Sequence, residues 1–338
     1  MTEARFTTLT DQFDEWRDEL LSGTAPMRYQ VGTGELDRLE IAPGDVKMIG
    51  GAPGAGKTAL TMQLTVDALR LNGSLRACVC NVEMSPTALL NRQLARLSGI
   101  DLTVIRDRRL DGSHADRLDL AFNTVEALSD RLAFVRPPYT LENIAASADE
   151  HHPDLLVLDY IQRIRPPGEH GDKRGSVNAM MDYLRQFADA GMAVIVLSAV
   201  GRTKDDHGRS SYSGSHLSLA SFRESSELEF GADDAFILHP EGDEAESDIM
   251  RLRHLKSRHG ETRDLLLRFD RPRMSFETAP NQHVAAQPLR GRRQRRPEAR
   301  ETPSASPDHS QALAGLWGRS APASDDADYP DSQQESES

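Results

Sequence analysis

The sequence predicts an α/β fold built on a mainly parallel twisted sheet with helices on both faces. Three observations predict it. Short runs that are apolar at consecutive positions alternate with longer helical patterns, and a glycine-rich turn joins the first such run to the first of those helices. After Phe230 the helical patterns stop, and strand-like runs follow one another with short polar connections. Strands without a polar face must be covered on both sides, and helical crossovers make neighbouring strands parallel. Closely spaced runs can pair only antiparallel, which adds them to one edge of the sheet.

The elements follow in chain order. Leu9, Phe13, Trp16, Leu20 and Leu21 recur at helical spacing, and Ser22-Gly23 supplies a stop. This predicts an amphipathic linker helix within residues 1–28. It either packs on its own domain or forms an arm that docks on a neighbouring subunit. Residues 29–280 read as one domain, with strands at 46–50, 76–82, 132–135, 155–160 and 192–198. Helices are predicted at 57–71, 85–98, 114–129, 140–149 and 176–190. Runs at 235–239, 249–256 and 265–269 form the antiparallel edge. Residues 281–338 carry Arg290, Arg292, Arg293, Arg295, Arg296 and Arg300, then Ser/Pro/Ala/Asp/Glu-rich text ending in DSQQESES. Such a segment buries too little apolar surface to offset its ordering entropy, so it reads as a disordered tail, Arg-rich and then acidic.

Composition narrows the functional classes. The chain has 338 residues, with 53 Asp+Glu against 40 Lys+Arg and a formal net charge of −13. That balance excludes nucleic-acid binding by bulk charge and leaves it to local basic loops. Two cysteines, Cys78 and Cys80, cannot form a disulfide framework, and their i, i+2 spacing puts both on one face of a strand as small buried hydrophobes. No N-terminal apolar core of a signal peptide and no membrane-length apolar run is present, so a cytoplasmic protein without membrane contact is expected.

The chemistry starts at Gly51-Ala52-Pro53-Gly54-Ala55-Gly56-Lys57-Thr58, a full match to G-x-x-x-x-G-K-[ST]. With Gly at about 7 % of residues, a chance match in a chain of this length is on the order of one in a hundred. The preceding strand and the following helix, with Ala59 in its first turn, lower that further. Glycines let backbone N–H groups converge on phosphate oxygens, and the helix N-terminus adds a favourable partial charge. Lys57 is placed to reach the β- and γ-phosphates of ATP, and the Thr58 hydroxyl to ligate Mg²⁺. The apolar run 155–158 ends in Asp159, which puts a carboxylate beside the loop where it can hold the metal through water. Glu83 ends the strand 76–82, the other candidate neighbour of the loop strand. It is either the base that polarises the attacking water or a bystander to a helix capped by Ser85.

These pieces together resemble the C-terminal ATPase domain of DnaB-type replicative helicases, within the RecA-like group. The resemblance covers about residues 29–278 and rests on GAPGAGKTAL, NVEMSP at 81–86, LLVLDYIQRI at 155–164, VIVLSAVGR at 194–202, SFRESSELEFGADDAFIL at 221–238 and HLKSRHG at 254–260. It implies that Glu83 is the catalytic glutamate and Asp159 the second Mg²⁺-site acid. It implies that Lys256 and Arg258 enter a neighbouring subunit's site, so that activity needs a homo-oligomer, a hexameric ring. Arg202, Arg223 and Glu224 fall where the family's channel loops meet single-stranded DNA, and the loop 163–174 adds Arg163, Arg165, Lys173 and Arg174. Loader or replication proteins are the further partners implied.

The chain departs from the family pattern in three places. Ala199 stands where the family usually carries glutamine, and Ser226 where it carries glycine. The helical N-terminal domain used for primase contact has no counterpart in this text. The resemblance therefore implies an ATP-hydrolysing helicase or translocase of plasmid, phage or accessory type. The alternative is a non-translocating ATPase switch that controls assembly or partner binding.

Overall fold

The fold is organised by one long buried helix seated against a strand that leads straight into a turn. The computed structural model describes residues 7–168, 173–201, 203–204, 210–211, 218–222, 231–241 and 247–279. The chain divides into two units at His283/Val284, and the second lies wholly outside the described residues. The tail arginines and the acidic end belong to that part.

In chain order the elements are α1 (Leu9–Leu21), β1 (Val46–Gly51), α2 (Lys57–Leu71), β2 (Ala77–Asn81), α3 (Pro86–Ser98), α4 (Leu102–Arg106) and α5 (Ala115–Glu126). Then come β3 (Leu132–Phe134), α6 (Leu141–His151), β4 (Leu155–Asp159), α7 (Lys173–Asp189) and β5 (Ala193–Ala199). A two-stranded ribbon, β6 (Thr203–Lys204) with β7 (Ser210–Ser211), precedes β8 (Asp234–Pro240), β9 (Ile249–Ser257), β10 (Leu265–Asp270) and β11 (Ser275–Thr278).

Nine strands make one sheet in the order β11-β10-β9-β8-β1-β5-β4-β2-β3. From β8 to β3 all pairings are parallel, and β8-β9-β10-β11 are antiparallel. Alternate residues of β1, β2, β4 and β5 feed two cores, as a sheet covered on both faces requires. One core takes Ile49, Val79, Val157 and Ile195 with α2, whose residues from Ala59 to Leu69 are all buried. The other takes Met48, Cys78, Cys80, Leu156 and Val196 with α6 and α7. A small third cluster joins α3, α4 and α5.

The sequence expectation needs one correction. Strand 76–82 is not a neighbour of the loop strand. β5 lies beside β1, β4 beyond it, and β2 beyond that. Periodicity assigns a strand but carries no information on lateral order, which the crossovers set. Helix α1 forms behind a capping box between Thr8 and Asp11. None of its residues is buried, and Leu9, Trp16 and Leu20 are each more than half exposed. Helix α4 and strand β11 were also unpredicted, since five and four residues are too few to display a period.

Candidate functional site

β1 ends at Gly51, and the chain turns through residues 52–56 into the N-terminus of α2. Gly54 and Gly56 hold φ of +78° and +92°, values that disfavour any side chain. Gly56 has a second reason to lack one. A Cβ there would meet Phe269 at 2.8 Å and Phe276 at 2.9 Å. Those two rings stack with centroids 4.2 Å apart and brace the back of the turn. The open side of the turn faces a cavity of 480 Å³, within the range of small-molecule sites.

The cavity is lined by Pro53, Gly54, Gly56, Lys57, Thr58 and Ala59 from the turn, and by Glu83 and Asp159. Four of the expected side chains therefore converge. Lys57 Nζ donates to the Gly51 and Ala52 carbonyls at 2.8 and 3.0 Å, folding the ammonium back over the turn. Thr58 Oγ1 donates to Asp159 Oδ2 at 2.6 Å, which places the hydroxyl and carboxylate expected around a cation side by side. They meet although β5 lies between β1 and β4 in the sheet. Burial lowers the Lys57 pKa, with Asp159 and Glu83 opposing. Burial raises that of Asp159, with Thr58 and Lys57 opposing. Both charges have lost more water than the protein gives back, which is the electrostatics of a site prepared for a charged ligand.

Sequence reasoning missed three contributors. Asn81 is buried at the end of β2, where its Nδ2 donates to Asp159 Oδ2 at 2.6 Å. Its Oδ1 accepts from the backbone N–H of Glu83 at 3.0 Å and of Met84 at 2.7 Å. One amide thus sets the position of both acids. An Asn closing an apolar run was the available signal, since a buried amide must be hydrogen-bonded. Arg92 on α3 lines the cavity. Burial lowers its pKa, with Asp159 opposing. Arg271, Phe269 and Met274 close the outer wall, and the Arg271 guanidinium lies 5.1 Å over the Phe269 ring. Nothing local in the sequence marks the last group, because its strands join the site only through the antiparallel edge.

Ala199 also lines the cavity, presenting a methyl group. Its backbone N–H donates to Gln162 Oε1 at 3.2 Å, and Gln162 Nε2 donates to Ser198 Oγ at 2.8 Å. Lys256 and Arg258 are elsewhere. Ser257 pairs with Asp234, which pairs with Lys47 at the start of β1. Four to five strand residues, roughly 15 Å, separate that level from Gly51. Arg163 and Arg165 are exposed in the turn after β4. Arg202, Arg223, Glu224 and Ser226 lie outside the described residues, as do the side chains of Lys173 and Arg174.

The residues fit a nucleotide triphosphate with its cation. The glycines leave room for phosphate against the turn, Lys57 and Arg92 supply cationic donors, and Thr58 and Asp159 supply hard oxygen ligands of the kind Mg²⁺ takes. Among the described residues no cluster of three or more His, Cys, Asp or Glu could hold a metal by itself. No helix among them is long and apolar enough to cross a membrane.

A mainly parallel sheet whose first strand ends in this turn, with Asp159 and Glu83 from strand ends farther along the same edge, defines a RecA-like α/β fold carrying a P-loop. The chain belongs to the DnaB-like helicase C-terminal domain family, whose model matches residues 30–278. Over 210 residues it is 25% identical to the replicative DNA helicase DnaB of Treponema pallidum (strain Nichols), covering 60% of this chain and 45% of that protein. The chain thus spans less than half the length of that relative. Among solved structures, one described as an ATPase domain superposes with a TM-score of 0.69 at 18% identity, covering 81% of this chain and all of that one (100%). A DnaB-like replicative helicase, solved to describe its interactions with primase, gives 0.68 at 19% identity, covering 82% of this chain and 68% of that one.

Proposed function

We propose that this chain is an ATP-hydrolysing, ring-forming motor that moves along single-stranded DNA. The observation that carries the hydrolytic part is the Thr58–Asp159 contact of 2.6 Å on the floor of a cavity that Lys57 and Glu83 also line. In this reading Lys57 and Thr58 hold the triphosphate, and Thr58 and Asp159 would hold Mg²⁺, which would supply charge neutralisation at the phosphates. Glu83 takes a proton from the attacking water as its oxygen bonds to the γ-phosphorus, and the bond to the β-phosphate oxygen breaks to release ADP. Asn81 holds Glu83 and Asp159 in register for that step.

The ring is supported by where Arg258 lies. At the far end of the sheet from Gly51 it cannot reach its own cavity, so it can stabilise γ-phosphate charge only in another subunit. The open apolar stripe of α1 supports the same assembly, as an arm for a neighbour. Arg202, Arg223 and Glu224 would meet the DNA backbone, a contact with little sequence preference. Ala199, in place of glutamine, favours a plasmid, phage or accessory motor over a main replicative one.

That same methyl favours a second reading, a non-translocating switch, because it cannot pass a hydrogen bond from phosphate to the DNA loops. Steady-state ATPase with and without single-stranded DNA, at low and physiological salt, separates the two. The motor predicts strong stimulation that falls as salt rises. Hydrolysis unchanged by DNA would replace it with the switch.

A further inference from the structure

At the end of the sheet opposite the phosphate turn, one carboxylate holds three elements together. Asp233, 1 % exposed, precedes β8. Its Oδ1 accepts from Arg258 Nη1 at 2.6 Å, and its Oδ2 accepts from Arg185 Nη2 of α7 at 2.7 Å and from the Val46 N–H of β1 at 2.8 Å. The backbone agrees, since Arg258 N–H donates to the Asp233 carbonyl at 2.9 Å. Lys256 Nζ donates to the adjacent Ala232 carbonyl at 2.6 Å. Both cations of the K-x-R segment are therefore seated on residues 232–233.

The pair is lopsided. The carboxylate is sealed in the protein, whereas the Arg258 side chain is 43 % exposed. An arginine on the loop after a strand would otherwise spread over many rotamers. A dry, ionised acceptor whose own orientation is set by α7 and β1 confines the guanidinium to one direction while leaving it reachable from outside the subunit. We propose that Asp233 is a positioning residue for hydrolysis in the neighbouring subunit, holding the Arg258 guanidinium in the pose that enters the neighbour's site. This rests on the reading that Arg258 acts in trans. It adds that the aim of the arginine is set by a buried acid that touches no nucleotide.

Mixed assemblies test it. Asp233→Asn keeps the size of the side chain and removes its charge. Alone it should lower kcat by about 10²-fold, the scale of a misplaced catalytic group, with KM for ATP unchanged. Co-assembly with Glu83→Gln subunits, which cannot hydrolyse ATP but carry an intact Arg258 face, should then raise ATPase per Asp233→Asn subunit at least several-fold. Arg258→Ala mixed with Glu83→Gln should show the same rise. If Arg258→Ala is rescued and Asp233→Asn is not, the acid is a fold staple and the inference fails. If neither is rescued although mixed assemblies form, it is the trans reading that fails. A kcat for Asp233→Asn equal to the parent's also overturns the inference. Should Asp233→Asn not fold, Asp233→Glu carries the same test, since it keeps the charge and shifts the guanidinium by about 1 Å.

Discussion

The two ends of the central sheet both gather lysine, arginine and carboxylate, and they handle that charge in opposite ways. At the end where β1 stops, Lys57, Glu83, Arg92 and Asp159 surround a 480 Å³ cavity, and burial works against the charged forms of Lys57, Arg92 and Asp159. At the end where β1 starts, the buried acids are each doubly partnered. Asp233 takes Arg185 and Arg258, and Asp234 takes Lys47 and His254. Burial alone would raise the Asp234 pKa, but hydrogen bonds from His254, Lys47 and Ser257 and the Lys47 charge outweigh it and hold the acid far below the usual carboxylate range. The larger cavity, 750 Å³, is at this second end. Size therefore does not separate the two ends. Charge left short of partners does, and it is the kind of charge a ligand can complete.

That contrast breaks most visibly at Lys57. Lys57→Ala should lower ATP affinity by about 10²- to 10³-fold or more, the effect of removing one side of a desolvated ion pair. Equilibrium titration with a fluorescent ATP analogue reads it directly, and unchanged affinity would show that this end is not the nucleotide site. Glu83→Gln should separate binding from chemistry. ATP affinity should stay near that of the parent while kcat falls by about 10²- to 10⁴-fold, the worth of a general base. A Glu83→Gln enzyme with normal turnover would hand the role to another group.

At the paired end Asp234, which holds no arginine of the K-x-R segment, should show the smallest effect on activity and a measurable one on stability. Asp234→Asn leaves the buried Lys47 with Asp45, at 3.4 Å, as its remaining carboxylate and should cost about 1–3 kcal/mol in denaturant unfolding, with ATP affinity unaltered. The sign of the pH dependence follows from the depressed pKa. The folded acid gives up its proton more readily than the unfolded one, so its stabilisation is fully present above the unfolded value near about 4 and is lost as pH falls below it. The gap between parent and variant should close as pH falls below about 4. A gap that widened in acid would contradict the pairing.

Much of the phosphate end was legible in the text because its logic is local. A strand, a turn needing two left-handed glycines and a helix N-terminus are contiguous, so Gly51 to Thr58 announce themselves. Asp159 and Glu83 were legible one step less directly, as acids that end apolar runs. Asn81 escaped because its role is defined by partners 78 residues away at Asp159 and two to three residues on at Glu83 and Met84. Arg92 escaped because one arginine in an amphipathic helix looks like any solvated charge until the helix is docked.

The sequence by itself determined the class of fold, the longer elements and the glycine-rich turn, since each follows from residue spacing within about 20 positions. Only the tertiary structure decided that β5 separates β1 from β4 and that Phe269 and Phe276 brace Gly56. It alone set Lys256 and Arg258 at the far end of the sheet on Ala232 and Asp233. The physical reason is that hydrophobic periodicity records which face of an element is buried, whereas the order of strands and the pairing of distant charges depend on how crossovers bring those faces together.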